Sequence, residues 1–202
     1  MANDAQRKAA KAARRKAVVA AKKQAEAQPV SLADKVRRAA AGPVVRCVMP
    51  ADLYEGGIGV VAIARSLDNG LLGCGIFMVD VLCLGVKDAF YREMTRDDLE
   101  AQLAATSFSN MAEADPAHAR KLLRDAAAFA ARHGLAPARE YGILEGIFGD
   151  IDPAACAESF TFGRDGKPFY IPGPSDSPAR IRTIVKTLER HRGAEVEDAA
   201  GG

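Results

Sequence analysis

Between Gly57 and Val81, two runs rich in Val, Ile and Leu, IGVVAIARSL and LLGCGIFMVDV, flank Asp68-Asn69-Gly70. Asn and Gly tolerate the positive φ angles of a tight turn, so this pair between apolar runs is the strongest short-range signal for an antiparallel hairpin. Side chains alternate along a strand. In the second run Cys74, Ile76, Met78 and Asp80 therefore share one face, and Gly73, Gly75, Phe77, Val79 and Val81 the other. Both faces are largely apolar, which predicts a central strand covered on both sides, with later helices on at least one of them. A carboxylate in such a strand needs a partner. Lys87 and Arg65 are the cations expected to supply one to Asp80.

Around this hairpin the chain reads as one α+β domain. Of its 202 residues, 49% are hydrophobic, enough for one sizeable core. Ser31 and Asp34 open a short helix that Gly42-Pro43 closes, and Val44 to Met49 is a strand ended by Pro50. The glycines at 56, 57 and 59 precede a strand and not a helix, so they read as a turn or bulge and not as a phosphate loop. Thr95 and Asp98 have capping-box spacing, with Leu99 and Leu103 on one helical face behind them. Asp115-Pro116 starts a helix that buries Leu122, Ala126, Phe129 and Ala130 and stops at Gly134. Tyr141 to Phe148 reads as a further short helix. A second hairpin is expected from Ser159 to Ile171 around Gly163-Arg164-Asp165-Gly166-Lys167, and a last helix carries Ile181, Ile184, Val185 and Leu188 on one face. The expected architecture is an antiparallel sheet of four to six strands built on the two hairpins, with three or four packed helices. Residues 1–40 form a basic arm, 41–192 the domain, and 193–202 a disordered acidic tail.

Three stretches, Gly57-Ile58-Gly59, FMVDVLCLGVKDAF at 77–90 and FGRDGKPFYIPGP at 162–174, resemble an uncharacterised family of bacterial proteins. The resemblance covers roughly residues 44–190 and leaves out the basic arm. It implies a bacterial, single-domain protein and brings no activity with it.

Charge is distributed unevenly along the chain. Residues 1–40 hold eleven Lys and Arg against three acids, a surplus of eight, so the overall +2 leaves −6 for the remainder. A basic arm on a mildly acidic body is a layout for electrostatic capture of RNA, DNA or a ribonucleoprotein, with Arg14, Arg15, Lys16, Lys22 and Lys23 neutralising phosphates. Arg164, Lys167 and Tyr170 would add a cation-plus-aromatic contact. The same arm also fits a solvated tail, since it lacks the apolar stripe of a docked helix or interfacial anchor.

An alternative is a small enzyme. Asp80, Cys83, Lys87 and Asp88 place two acids, a thiol and an amine within nine residues, with Cys83 or Lys87 as nucleophile and an acid adjusting its pKa. A third reading is a module that grips a peptide at the second hairpin. The histidines His118, His133 and His191 have no metal-ligand spacing, and neither an EF-hand nor a Gly-x-Ser-x-Gly elbow occurs, so no metal or cofactor is expected. Scattered cysteines without a CxxC pair and the lack of a long apolar span predict a soluble, cytoplasmic protein.

Overall fold

The computed structural model describes residues 30–106, 110–174 and 176–200, with backbone alone for 192–200. Leu32 onward forms a contact-defined unit, and it is the one described below. Arm residues Arg14, Arg15, Lys16, Lys22 and Lys23 lie outside the described residues.

Among the described residues five strands form one antiparallel sheet in the order β4-β3-β2-β1-β5. They are β1 (Val44–Pro50), β2 (Ile58–Ser66), β3 (Leu72–Asp80), β4 (Gly85–Met94) and β5 (Met111–Glu113). The helices are α1 (Leu32–Ala41), α2 (Leu53–Gly56), α3 (Arg96–Ala105), α4 (Pro116–Arg132), α5 (Tyr141–Leu144) and α6 (Pro178–Ala200), with 3-10 turns at Glu145–Phe148 and Pro153–Ala155. The fold is α+β, as the sequence predicts.

The hairpin β2–β3 runs in unbroken register from Ser66 opposite Leu72 to Ile58 opposite Asp80. Its connection is longer than a two-residue turn. Only Gly70 takes a left-handed φ, +80°, and its N–H donates to Leu67 O at 3.0 Å. Asn69 contributes its side chain instead, accepting the Leu71 N–H at 3.1 Å. This division follows from chemistry: glycine lacks the Cβ that penalises positive φ, and the short Asn amide can mimic a backbone acceptor.

Both faces of β3 are covered. Phe77, Val79 and Val81 pack with Leu122, Leu123, Ala126 and Phe129 of α4 and with Ile147 and Phe148. Cys74 and Ile76 pack with Val48, Ala62 and Ala64, where Leu99 of α3 closes the opposite side. Phe77 is wholly buried between Tyr141, edge-on at 6.2 Å, and Phe148 at 6.0 Å. The predicted caps position these helices. Thr95 and Asp98 form the capping box of α3, and Asp115 accepts the Ala117 and His118 N–H groups ahead of Pro116 in α4.

Four details differ from the sequence reading. The α1 helix, grouped there with the arm, packs on the core through Val36 and Ala39. Residues 85–94, which include Lys87 and Asp88 of the possible reactive cluster at 80–88, are strand β4, so the second hairpin of the sheet is β3–β4. The stretch 159–171 contributes one isolated bridge between Arg164 and Lys167 and no sheet strand, because Phe160 and Phe162 pack as a ring cluster against α4. Finally, α6 continues to Ala200, through residues expected to be a disordered tail.

Candidate functional site

One irregularity in the β3–β4 ladder sets up the site. Asp88 lies opposite Met78 and Val86 opposite Val79, so Lys87 is the extra residue of a β-bulge. A bulge bends its strand and re-aims the side chain at the extra position. Lys87 lines a cleft of about 690 Å³ beside the β3–β4 turn. The apolar walls are Ile58, Met78, Leu82, Phe169, Ile171 and Pro172, and the polar groups are Asp80, Lys87, Asp88, Asp176 and Arg180. A cavity of this size, mostly apolar with a few converging polar groups, is what a small-molecule or peptide site offers.

The outer wall is held by backbone bonds to the turn. Gly163 N–H donates to Val81 O at 2.8 Å and Phe169 N–H to Leu82 O at 2.9 Å. From there the chain runs through Pro172-Gly173-Pro174 to Asp176, whose side chain is only 2% exposed. Asp176 accepts from Gly173 N–H at 2.8 Å and from the Tyr170 hydroxyl at 2.9 Å. Lys87 Nζ stands 3.4 Å from its Oδ2, and Arg180 Nε 3.3 Å from its Oδ1. The Gly173 amide, aided by Tyr170 and Lys87 and opposed by burial, holds this carboxyl below the usual range. Burial and Asp176 together push the Tyr170 phenol up to about 12.

Asp80 has neither of its expected ion-pair partners. Its Oδ1 accepts the Leu82 and Cys83 N–H groups, both at 2.9 Å, which folds the turn between the two strands. Burial raises its pKa, with these amides and the charge of Lys87 working against the rise. Lys87 pairs with Asp176 instead. Arg65 donates to the carbonyls of Ala40, Gly42 and Phe148 at 3.0, 2.8 and 2.6 Å.

Of the four residues in the enzyme reading, Asp80, Lys87 and Asp88 reach the cleft and Cys83 does not. Cys83 is fully buried with Leu84, Ala130, Leu135 and Ile184, and burial, reinforced by Asp80, pushes its thiol up to about 12. That is the reverse of an activated thiolate. The cation-plus-aromatic group is also largely spent internally. Arg164 lies 3.4 Å over the Phe169 ring, Tyr170 bonds Asp176, and Lys167 is exposed beside Arg164. Asp176, Arg180, Leu82 and Ile171 were missed as site residues. Asp176 and Arg180 follow the rigid Pro-Gly-Pro stretch, and the contact of Asp176 with Lys87, 89 residues away, is one that no local pattern encodes.

Comparison with protein-family models, curated proteins and solved structures finds no match. Among the described residues no helix is long and apolar enough to cross a membrane.

Proposed function

We propose that the protein is a binding module that takes a short peptide segment in the cleft between the β3–β4 turn and the Phe169–Pro174 stretch. The observation that carries this reading is an apolar trough ending at Lys87, a bulge cation with one carboxylate partner among the described residues. An ammonium has three donors, so a ligand carbonyl or carboxylate has donors to meet. Ile58, Leu82 and Ile171 supply the surface for an aliphatic side chain, and Asp88, exposed at the mouth, suits a basic neighbour. Selection of a displayed heptapeptide library on the full chain tests it. Enriched peptides should bind with little salt dependence and lose binding in Leu82→Asp and Lys87→Met. Retention of binding in both variants refutes the assignment.

A second reading rests on the eight-charge surplus of residues 1–40. Here the arm engages RNA, DNA or a ribonucleoprotein, and affinity falls steeply with salt. Deletion of residues 1–27 separates the two, since it abolishes nucleic-acid binding and leaves peptide binding intact. Equal RNA binding by the truncated protein would discard the arm's role. The enzyme reading with Cys83 as nucleophile is opposed by the buried thiol; rapid alkylation of Cys83 in the folded protein at neutral pH would restore it.

A further inference from the structure

Outside the cleft, two distant stretches bring three metal-ligating side chains together. One ligand atom from each of His118, Cys156 and Glu158 lies within 4.8 Å of the other two. His118 sits in the first turn of α4, where Asp115 Oδ1 accepts its backbone N–H at 3.1 Å. Phe160 braces the imidazole edge-on, with ring centroids 5.0 Å apart. Cys156 ends the Pro153–Ala155 turn, its N–H donating to Pro153 O at 3.2 Å. That turn is itself fixed by Asp152, whose Oδ1 accepts the Ala154 N–H at 2.9 Å. Both ring and thiol therefore stand on anchored backbone, and Glu158 follows two residues later.

The spacing suits a small cation. His118 Nδ1 and Glu158 Oε1 are 3.3 Å apart. Nitrogen and oxygen ligands at the usual zinc distances, about 2.0 to 2.2 Å, are separated along a tetrahedral edge by about 3.3 to 3.5 Å. The Cys156 sulfur lies within 4.8 Å of both atoms, which places it at the third corner of the same cluster. The cysteines differ in a matching way: Cys47, Cys74 and Cys83 are buried, whereas Cys156 is partly exposed. The accessible thiol is thus the one flanked by an imidazole and a carboxylate.

We propose that His118, Cys156 and Glu158 bind a divalent cation of the zinc class, leaving the fourth tetrahedral position to water or an exogenous ligand. Donor chemistry selects the cation. A thiolate with an imidazole suits borderline-soft zinc, while magnesium and calcium take oxygen ligands. Three protein ligands with an open fourth position are the arrangement of zinc sites that exchange ligands, as opposed to closed structural ones.

The test uses the untagged full chain, stripped with a chelator and titrated with Co²⁺ and then Zn²⁺. One equivalent of Co²⁺ should give thiolate-to-metal charge-transfer absorption that Zn²⁺ displaces, and Cys156→Ser should abolish it. Glu158→Gln and His118→Gln should weaken Zn²⁺ binding by more than the roughly 10- to 100-fold that loss of an outer-shell partner costs. Replacing His118 also removes a ring that packs on Phe160, so Glu158→Gln, at an exposed position, is the cleaner variant, with circular dichroism as the check on folding. Absence of the absorption band in the folded protein, or its survival in Cys156→Ser, overturns the proposal.

Discussion

Arg65 and Lys87 both project from the sheet, and they illustrate opposite uses of a cation. Arg65 on β2 is 4% exposed and gives its guanidinium N–H groups to three carbonyls, at the end of α1, after it, and at the end of the first 3-10 turn. It joins three elements. Lys87, on the bulge of edge strand β4, has one long contact to Asp176 and otherwise faces a cleft. The difference lies in where the donors face. A buried cation whose two terminal nitrogens are tied to backbone carbonyls is a fastener, even with its Nε buried and unpartnered, whereas one whose donors face an apolar trough is equipped to hold something else.

The largest expected effect on stability belongs to the fastener. Arg65→Leu leaves the Ala40 and Gly42 carbonyls without its guanidinium, while Phe148 O keeps the Ile151 N–H, and should cost about 2 to 6 kcal/mol, at about 1 to 3 kcal/mol for each of the two acceptors. Urea unfolding at an unchanged slope measures it. A loss below about 1 kcal/mol would mean water replaces the guanidinium, and the contrast with Lys87 would fail.

Next comes the turn that holds the cleft open. Gly85 has φ +63°, and a Cβ there would stand 2.6 Å from Ala126 O. Gly85→Ala should cost about 2 to 4 kcal/mol through strain and collision with α4, and should weaken peptide binding by displacing Leu82. Thermal unfolding with a binding titration reads both. A variant as stable as the parent would show that α4 does not press on this turn.

Acid should separate the carboxylates by sign. Glu145 is opposed by burial, but hydrogen bonds from Arg120 and Arg124 outweigh it and hold its carboxyl below the usual value of 4.5. Asp176 is held below 3.8, chiefly by the Gly173 amide. Each then contributes stability that is fully present above its unfolded pKa and is lost as pH falls through the folded one. Asp80 has the opposite sign. Its raised pKa means that protonation favours the folded state, so its contribution grows as pH falls from above its folded pKa toward 3.8. Asp176→Asn should therefore flatten the acid limb of the stability profile, and Asp80→Asn should steepen it. Parallel profiles for the two variants would contradict these assignments.

The smallest stability effect is expected at Lys87 itself. Its ammonium meets Asp176 only at 3.4 Å, and that carboxylate keeps the Gly173 N–H, the Tyr170 hydroxyl and Arg180 without it, so Lys87→Met should change stability by within about 1 kcal/mol. Peptide affinity should nevertheless drop. A large loss of stability would make Lys87 a second fastener.

Local signals account for what the sequence revealed. Asn69-Gly70 between apolar runs, the Thr95–Asp98 box and Asp115-Pro116 each act within a few residues, and all three form the elements they predict. The two apolar faces of β3 were likewise readable from alternation alone. Strand β4 was hidden because Lys87-Asp88 interrupts its apolar pattern at the bulge, and β5 has only three residues, too few to show a period. At Gly163–Lys167 the turn chemistry was read correctly, with positive φ at Gly163, Asp165 and Gly166, but the flanking aromatics favour packing on α4 over pairing with a strand. The residues around the cleft were half legible. Asp80, Lys87 and Asp88 stood out as a local group, whereas Asp176 and Arg180 join them only through the fold. Arg65 was assigned a carboxylate because sequence displays acids and does not display which carbonyls a fold leaves unpaired.

The most direct measurement is a titration of the full chain with a selected peptide, followed by backbone amide shifts. Perturbation concentrated at Leu82, Lys87, Asp88, Ile171 and Gly173, with Gly42 and Phe148 beside Arg65 unmoved, is the expected result. Shifts that bypass the Lys87 cleft, or that are unchanged in Lys87→Met, would contradict the division between a closed fastener and an open site.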